Sequence, residues 1–240
     1  MKKESLFELA ERKKLPLHQF IDGETVKWVI KNKPKFGKTG ELKLPSRKIL
    51  KRFIPDNSWF LQAKEIDSIH GMRHILRVAV NAILIVKKYF YEKRIENLII
   101  AAVIHDIRRK NDKDDFKHGL RSANWFRENA TLVGKKFNVE FRDEDIKEIY
   151  WLIFSHELPR ADLKENKNYC RFRRGIDIIR IADALDRYRL PKTKWWINEE
   201  IIGLVIPDIF KKSAFNLIIK SELNFLKGKN SQESVLNVLK

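Results

Sequence analysis

The run Leu98-Ile-Ile-Ala-Ala-Val-Ile104, closed by His105-Asp106, decides how this chain reads. From Ile95 to Arg108 the sequence is apolar nearly all round, as expected of a central helix packed on every side. An imidazole and a carboxylate at the end of such a run are costly to bury without partners. A divalent metal ion is the simplest partner for both. Adjacent side chains leave a helix in different directions, so both reach one ion only if it sits beyond the helix end. The chain offers further ligand types in order: His70 and His74 upstream, then His118, His156 and Asp183 downstream. That series takes in five of the six histidines.

The flanking sequence is helical. Met72 to Tyr91 carries Ile75, Ala79, Ala82, Ile83 and Val86 at helical spacing. Lys117 to Asn129 reads as a third helix. Asp143-Glu-Asp opens a fourth, with acids favourable to the dipole in its first turn. Its Ile146, Ile149, Tyr150 and Ile153 share a face; it arrives at His156 and ends before Pro159. Arg173 to Arg189 is a fifth, stopped by Pro191. Ile197 to Leu226 predicts one or two more, with Pro207 between them. Ser231 to Lys240 has Val235, Leu236 and Leu239 for docking. An all-α core follows, with a sheet expected nowhere unless near the N-terminus.

Residues 1–64 differ from the rest. They hold 16 Lys/Arg against 7 Asp/Glu, a net +9, which is half the total of +18. Ser5 to Lys14 reads as a short amphipathic helix. Pro16, Pro34, Gly37, Gly40, Pro45 and Pro55 break longer elements. Glu24 to Ile30 fits a strand or a short helix equally. This segment is either an extension with its own purpose or a cap on the helical core. The chain is therefore divided into a basic N-terminal extension, 1–64, and a helical domain, 65–240.

Four local strings carry a resemblance: Ile69-His-Gly-Met-Arg-His-Ile-Leu-Arg-Val78, Ile104-His-Asp-Ile-Arg-Arg-Lys-Asn-Asp112, Lys117-His-Gly-Leu-Arg-Ser-Ala123 and Ile181-Ala-Asp-Ala-Leu-Asp-Arg187. In this order they resemble the HD superfamily of metal-dependent phosphohydrolases, over roughly residues 66–190. The resemblance implies an HD-type helical bundle with His74, His105, Asp106 and Asp183 as metal ligands. The further His118 and His156 resemble its two-metal branch, which includes phosphodiesterases and nucleases and in which the Asp bridges two ions. Many members have Gly-Lys after the pair, where this chain has Arg108-Arg109, so that lysine's role does not transfer.

Each candidate has a plainer reading. His70 contacts the site or caps a helix beside Gly71. His118 ligates or positions phosphate; His156 ligates or sits in the core at a helix end. Asp183 ligates or pairs with Arg180 or Arg187. Arg108 and Arg109 grip phosphate oxygens or solvate a helix end. Asp112 and Asp115 hold those arginines or are loop residues. Asp186 and Arg187 line the site or solvate their helix.

The expected activity is hydrolysis of a phosphoester in a nucleotide or phosphodiester, by in-line attack of metal-bound hydroxide. Asp106, Arg109 and His118 form the catalytic group, with His70, Arg108, Arg109 and Arg187 on the substrate phosphate. One or two ions of Mn, Fe, Co, Ni, Zn or Mg suit these ligands. The alternatives are a nuclease on single-stranded DNA or RNA, tethered through the basic segment, and a non-catalytic nucleic-acid-binding or regulatory module. The charge fits a polyanionic partner or a plain lysine-rich composition. The longest apolar stretches are about seven residues, against roughly 20 for a membrane span, and no signal peptide is expected. The single cysteine, Cys170, excludes an internal disulfide and fits a cytoplasmic protein. No motif pairs it with a base, so it is expected to be structural.

Overall fold

A computed structural model describes residues 4–89 and 95–239, and every regular element among them is helical. The N-terminal segment holds α1 (Leu6–Glu11), α2 (Gly23–Lys31) and α3 (Arg47–Arg52). Glu24 to Ile30 is thus helix. The Asp22 side chain caps it by accepting from Thr25 N at 2.8 Å, and Thr25, Val26 and Val29 turn inward at helical spacing.

The core is built on α4 (Met72–Tyr89), whose residues 72–86 are all buried. α5 (Ile95–Ile104), α9 (Lys167–Leu185), α11 (Asp208–Leu226) and α12 (Ser231–Leu236) pack around it. α6 (His118–Glu128), α7 (Ala130–Phe137) and α8 (Asp143–Phe154) complete that layer beyond α5, and α10 (Glu199–Ile202) lies against α9. The expected end of α4 at Tyr91 lies outside the described residues.

Several expected boundaries move. α5 stops at Ile104 rather than Arg108, because His105 N still bonds Ala101 O at 2.9 Å but the next turn tightens. α9 begins at Lys167, not Arg173, since the Asn166 side chain caps it through Asn168 N and Tyr169 N. It ends at Leu185 in a 3-10 turn, Asp186–Arg189. Cys170 therefore lies inside α9, and it is exposed. α7 has no counterpart in the sequence reading. Pro207 stands at the N-terminus of α11, as its position suggested.

Residues 4–64 are not spread over the surface. Leu50, Phe53, Trp59 and Phe60 belong to the main core, and Leu6 and Val29 join Ile69, Tyr188, Leu190, Trp196, Phe215 and Ile218 in a second cluster. Among the described residues, no helix is long and apolar enough to cross a membrane.

Candidate metal centre

Five helix ends meet at one point. His74 is in the first turn of α4, His105 and Asp106 follow the last residue of α5, and His118 opens α6. His156 follows α8 by two residues, and Asp183 lies in the last turn of α9. The break after Ile104 aims both His105 and Asp106 beyond the helix axis. Lys117, at φ 65°, turns the chain so that α6 starts on His118. All six sequence-derived ligand candidates are brought together.

The ring orientations show what the cluster offers. His105 Nδ1 lies 2.7 Å from Ala102 O, His118 Nδ1 2.7 Å from Asp115 O, and His156 Nδ1 2.6 Å from Ile153 O. Each carbonyl only accepts, so each Nδ1 carries the proton. His74 Nδ1 is held in the same way by the Asp186 carboxylate at 2.8 Å. In the neutral rings every Nε2 is then a bare lone pair, and all four point inward.

They point at one another and at carboxylate oxygens. His74 Nε2 and His105 Nε2 are 3.2 Å apart, and His118 Nε2 and His156 Nε2 are 3.1 Å apart. Asp183 Oδ1 lies 3.4 Å from His74 Nε2. Asp106 Oδ1 is 3.1 Å from His118 Nε2 and 3.6 Å from His156 Nε2, yet makes no well-aligned hydrogen bond although it is buried. A set of buried acceptors facing each other is stabilised by a cation or a proton between them. His74, His105 and Asp106 form one group with ligand spacing and Asp106, His118 and His156 another, so Asp106 is common to both. This donor set, four imidazole nitrogens with two carboxylates, can hold a divalent metal ion.

Charge tuning agrees with this. Burial holds His105 down at about 3, so its ring stays neutral and supplies a lone pair. Asp106 stays ionised against its own burial, because His105, Arg109 and His118 surround it. His118 stands apart. Despite burial, the Asp106 and Glu157 carboxylates raise it to about 9, so without a cation it takes up a proton instead.

A second layer fixes these ligands. Asp186 accepts from Arg77 Nε at 2.6 Å while receiving His74, and Arg77 continues to Glu222 at 2.6 Å. Glu222 also takes Arg73 at 2.9 Å, which reaches Ser231 Oγ at 2.8 Å. Glu157 binds His118 Nδ1 at 2.9 Å and Gly119 N at 2.7 Å. Such partners fix tautomer and orientation in metal sites. The sequence reading did not give Asp186 or Glu157 this role. A signal existed for Asp186: Arg73 and Arg77, four residues apart among the apolar positions of α4, need buried acids.

The centre floors a cavity of about 310 Å³, lined among others by His70, Arg109, Arg180, Arg187, Arg189 and Trp196. Arg109 Nη1 lies 3.7 Å from Asp106 Oδ2. His70 is at the cavity, with Nδ1 on Asp112 Oδ1 at 2.8 Å and its ring edge-on to His74. Its place depends on Gly71, where a Cβ would lie 2.0 Å from Glu65 O. Arg108 is not brought to the site: its guanidinium donates to Trp59 O at 2.9 Å and faces the Trp125 ring. Asp115 holds Arg121 at 2.5 Å, and Asp112 holds His70, so neither secures Arg108 or Arg109 through an ion pair. Arg180 bonds the Ser155 and Leu158 carbonyls rather than Asp183.

Fold and site together define an all-helical protein with a buried His/Asp centre able to hold a metal ion. No family model, no curated protein and no solved structure matches the chain.

Proposed function

We propose that this chain is an HD-type metal-dependent phosphohydrolase acting on a phosphoester of a nucleotide or small phosphodiester. The observation that carries the reading is Asp106, one buried carboxylate common to two histidine groups, at the floor of an arginine-lined cavity. His74, His105, Asp106 and Asp183 would hold one ion, and Asp106, His118 and His156 a second. Their imidazole content favours Mn, Fe, Co, Ni or Zn over Mg. When bound, such ions supply a water of lowered pKa and polarise phosphoryl oxygens.

The chain's own groups fit the rest of the task. Arg187 lines the cavity with terminal nitrogens suited to phosphate oxygens, while Arg109, held by the Asn111 and Lys113 carbonyls, keeps Nη1 beside Asp106 and His118 at its floor. His70, with its Nδ1 proton given to Asp112, offers Nε2 as an acceptor for a substrate hydroxyl. His118 keeps its Nδ1 proton on the Asp115 carbonyl and the Glu157 carboxylate, which leaves Nε2 free for the second ion. A cavity of about 310 Å³ suits a single nucleotide, at the lower end of small-ligand sites. One exposed cysteine is in keeping with a cytoplasmic setting.

The test is metal content and hydrolysis in the same preparations. Protein saturated with Mn is expected to hold close to two ions per chain by elemental analysis and to hydrolyse members of a nucleotide and phosphodiester panel. Asp106→Ala is expected to lose both properties with helical content unchanged, and His156→Ala to lose about one ion. Full hydrolysis by Asp106→Ala, or by chelator-stripped protein, would overturn the reading.

A further inference from the structure

A second cavity, of about 590 Å³, adjoins the first and shares His70, Arg109, Arg187, Leu190 and Lys194 with it. Its other wall comes from the N-terminal segment, including Ala10, Lys13, Leu15 and Gln19. The two spaces therefore meet at Arg187 and Lys194, one opening onto the His/Asp centre and the other onto residues 10–19.

The second cavity is cationic in a way that surface composition does not explain. Lys192 is only 8% exposed; its ammonium lies 5.6 Å from the Trp195 ring centre, and among the described residues its one carboxylate partner is Glu11 at 3.6 Å, itself mostly exposed. The stem of Lys192 is packed away while its ammonium opens on the cavity with little carboxylate compensation, an arrangement that an anion in the cavity would complete. Arg187 spends Nε on Trp195 O at 2.7 Å, and no carboxylate among the described residues pairs with its terminal nitrogens. Lys13 is held at φ 57° just past the end of α1, a conformation that non-glycine residues adopt at a cost. It nevertheless lines the cavity, as does Lys113. Two acids also contribute. Asp112 is fully engaged by Gln19, Ser68 and His70, which leaves Asp114 at the wall.

We infer that the second cavity is an anion subsite that takes a second phosphate of the substrate, so that the substrate class is a nucleotide carrying two separate phosphate groups. One phosphate lies at the His/Asp centre, and the other lies among Lys13, Lys113, Lys192 and Lys194, with Arg187 between them. This rests on the phosphohydrolase reading for the first phosphate only. It also gives the basic N-terminal segment a defined task, as the wall that selects substrate.

Equilibrium binding of adenosine 3′,5′-bisphosphate and adenosine 5′-monophosphate to the full chain, loaded with Mn, tests the subsite without reference to turnover. The bisphosphate is expected to bind at least about tenfold tighter at moderate salt, the yield of one or two charge-assisted contacts. The double substitution Lys13→Gln, Lys113→Gln is expected to bring the ratio of the two affinities toward one. Lys220→Gln, an exposed lysine that lines neither cavity, should not change it. A ratio near one in the unaltered protein, or a ratio that survives the double substitution, would overturn the subsite even if monophosphates are hydrolysed. A strong preference in a protein that hydrolyses nothing would support the subsite and sink the phosphohydrolase reading instead.

Discussion

Ser68 has one hydroxyl hydrogen and faces two carboxylates, Glu65 Oε2 at 3.0 Å and Asp112 Oδ1 at 2.9 Å. It also accepts from His70 N at 3.2 Å. The arrangement is satisfied when one carboxyl keeps its proton and gives it to Ser68. Glu65 is that group: burial and the Asp112 charge push it up to about 7, while hydrogen bonds from His70, Gln19 and Ser68 keep Asp112 below its usual range. A carboxyl raised on folding contributes stability that is complete below its unfolded pKa, about 4.5, and lost as pH rises through its folded one, about 7. Between those values the group is expected to lower stability by up to about 1 kcal/mol per pH unit. Urea unfolding measured across that interval should show this decline in the unaltered protein and a flatter course in Glu65→Gln. Parallel curves for the two would remove Glu65 from the account. The chain His18, Glu65, Ser68, Asp112, His70 ties the loop before α4 to the loop after α5, which is how residues far apart in sequence support one wall of the cavity.

α6 and α8 approach closely enough at their site-facing ends that Gly119 has no room for a side chain. A Cβ there would lie 2.9 Å from Glu157 Oε1 and 3.0 Å from His156 Cε1. Both neighbours are fixed, Glu157 by Gly119 N and His118, and His156 by Ile153 O. Gly119→Ala should therefore displace His156 from the group it shares with Asp106, and Glu157 from His118, and leave His74, His105 and Asp183 in place. On the proposed two-ion reading the expected result is loss of about one ion, at a stability cost on the order of 1–3 kcal/mol. Elemental analysis with a thermal melt checks it, and unchanged stoichiometry with an unchanged melt would mean that the helices open to admit the methyl group. α4 shows the same dependence on its neighbours. Arg73 and Arg77 lie at 1% exposure because α11 brings Glu222 and the turn after α9 brings Asp186. Removing Glu222 would strand the buried Arg73 guanidinium, whereas Arg77 would keep Asp186.

The whole molecule does not divide where its charge does. Residues 1–64 carry half the net charge, yet Leu6, Val29, Leu50, Phe53, Trp59 and Phe60 are buried among residues of the helical region. Burial of each such side chain contributes roughly 1.5–3 kcal/mol, against a net stability of about 5–15 kcal/mol for an ordinary domain. Deletion of 1–64 is accordingly expected to abolish cooperative thermal unfolding by circular dichroism. A truncated chain that melts like the full one would show that 65–240 stands alone and that the segment is an independent extension. Point substitutions on the cavity wall, rather than truncation, are the proper test of what its lysines bind.

Periodicity and ligand order were enough to read an all-α chain with one His/Asp centre, because a buried polar pair at the end of an apolar helix is a local conflict visible in the residues themselves. His105 and Asp106 were legible in that way; His74, His118, His156 and Asp183 were picked out by ligand order and the resemblance it carries, and tertiary packing is what brings the six together. Helix ends were less legible: an Asn166 cap and a tightened turn after Ile104 shift boundaries that apolar spacing does not mark. The segment Glu24 to Ile30 was ambiguous because four apolar positions in seven satisfy both periods, and packing against α1 and α11 chose the helix. Roles that depend on pairing across the fold were not legible at all. Asp186 and Glu157 become supports, Arg108 turns away to Trp59 and Lys13 lines a cavity only because distant elements meet there. A side chain's chemistry is set by its own atoms, but whether it ligates, supports or solvates depends on what the tertiary structure places within a few ångströms of it.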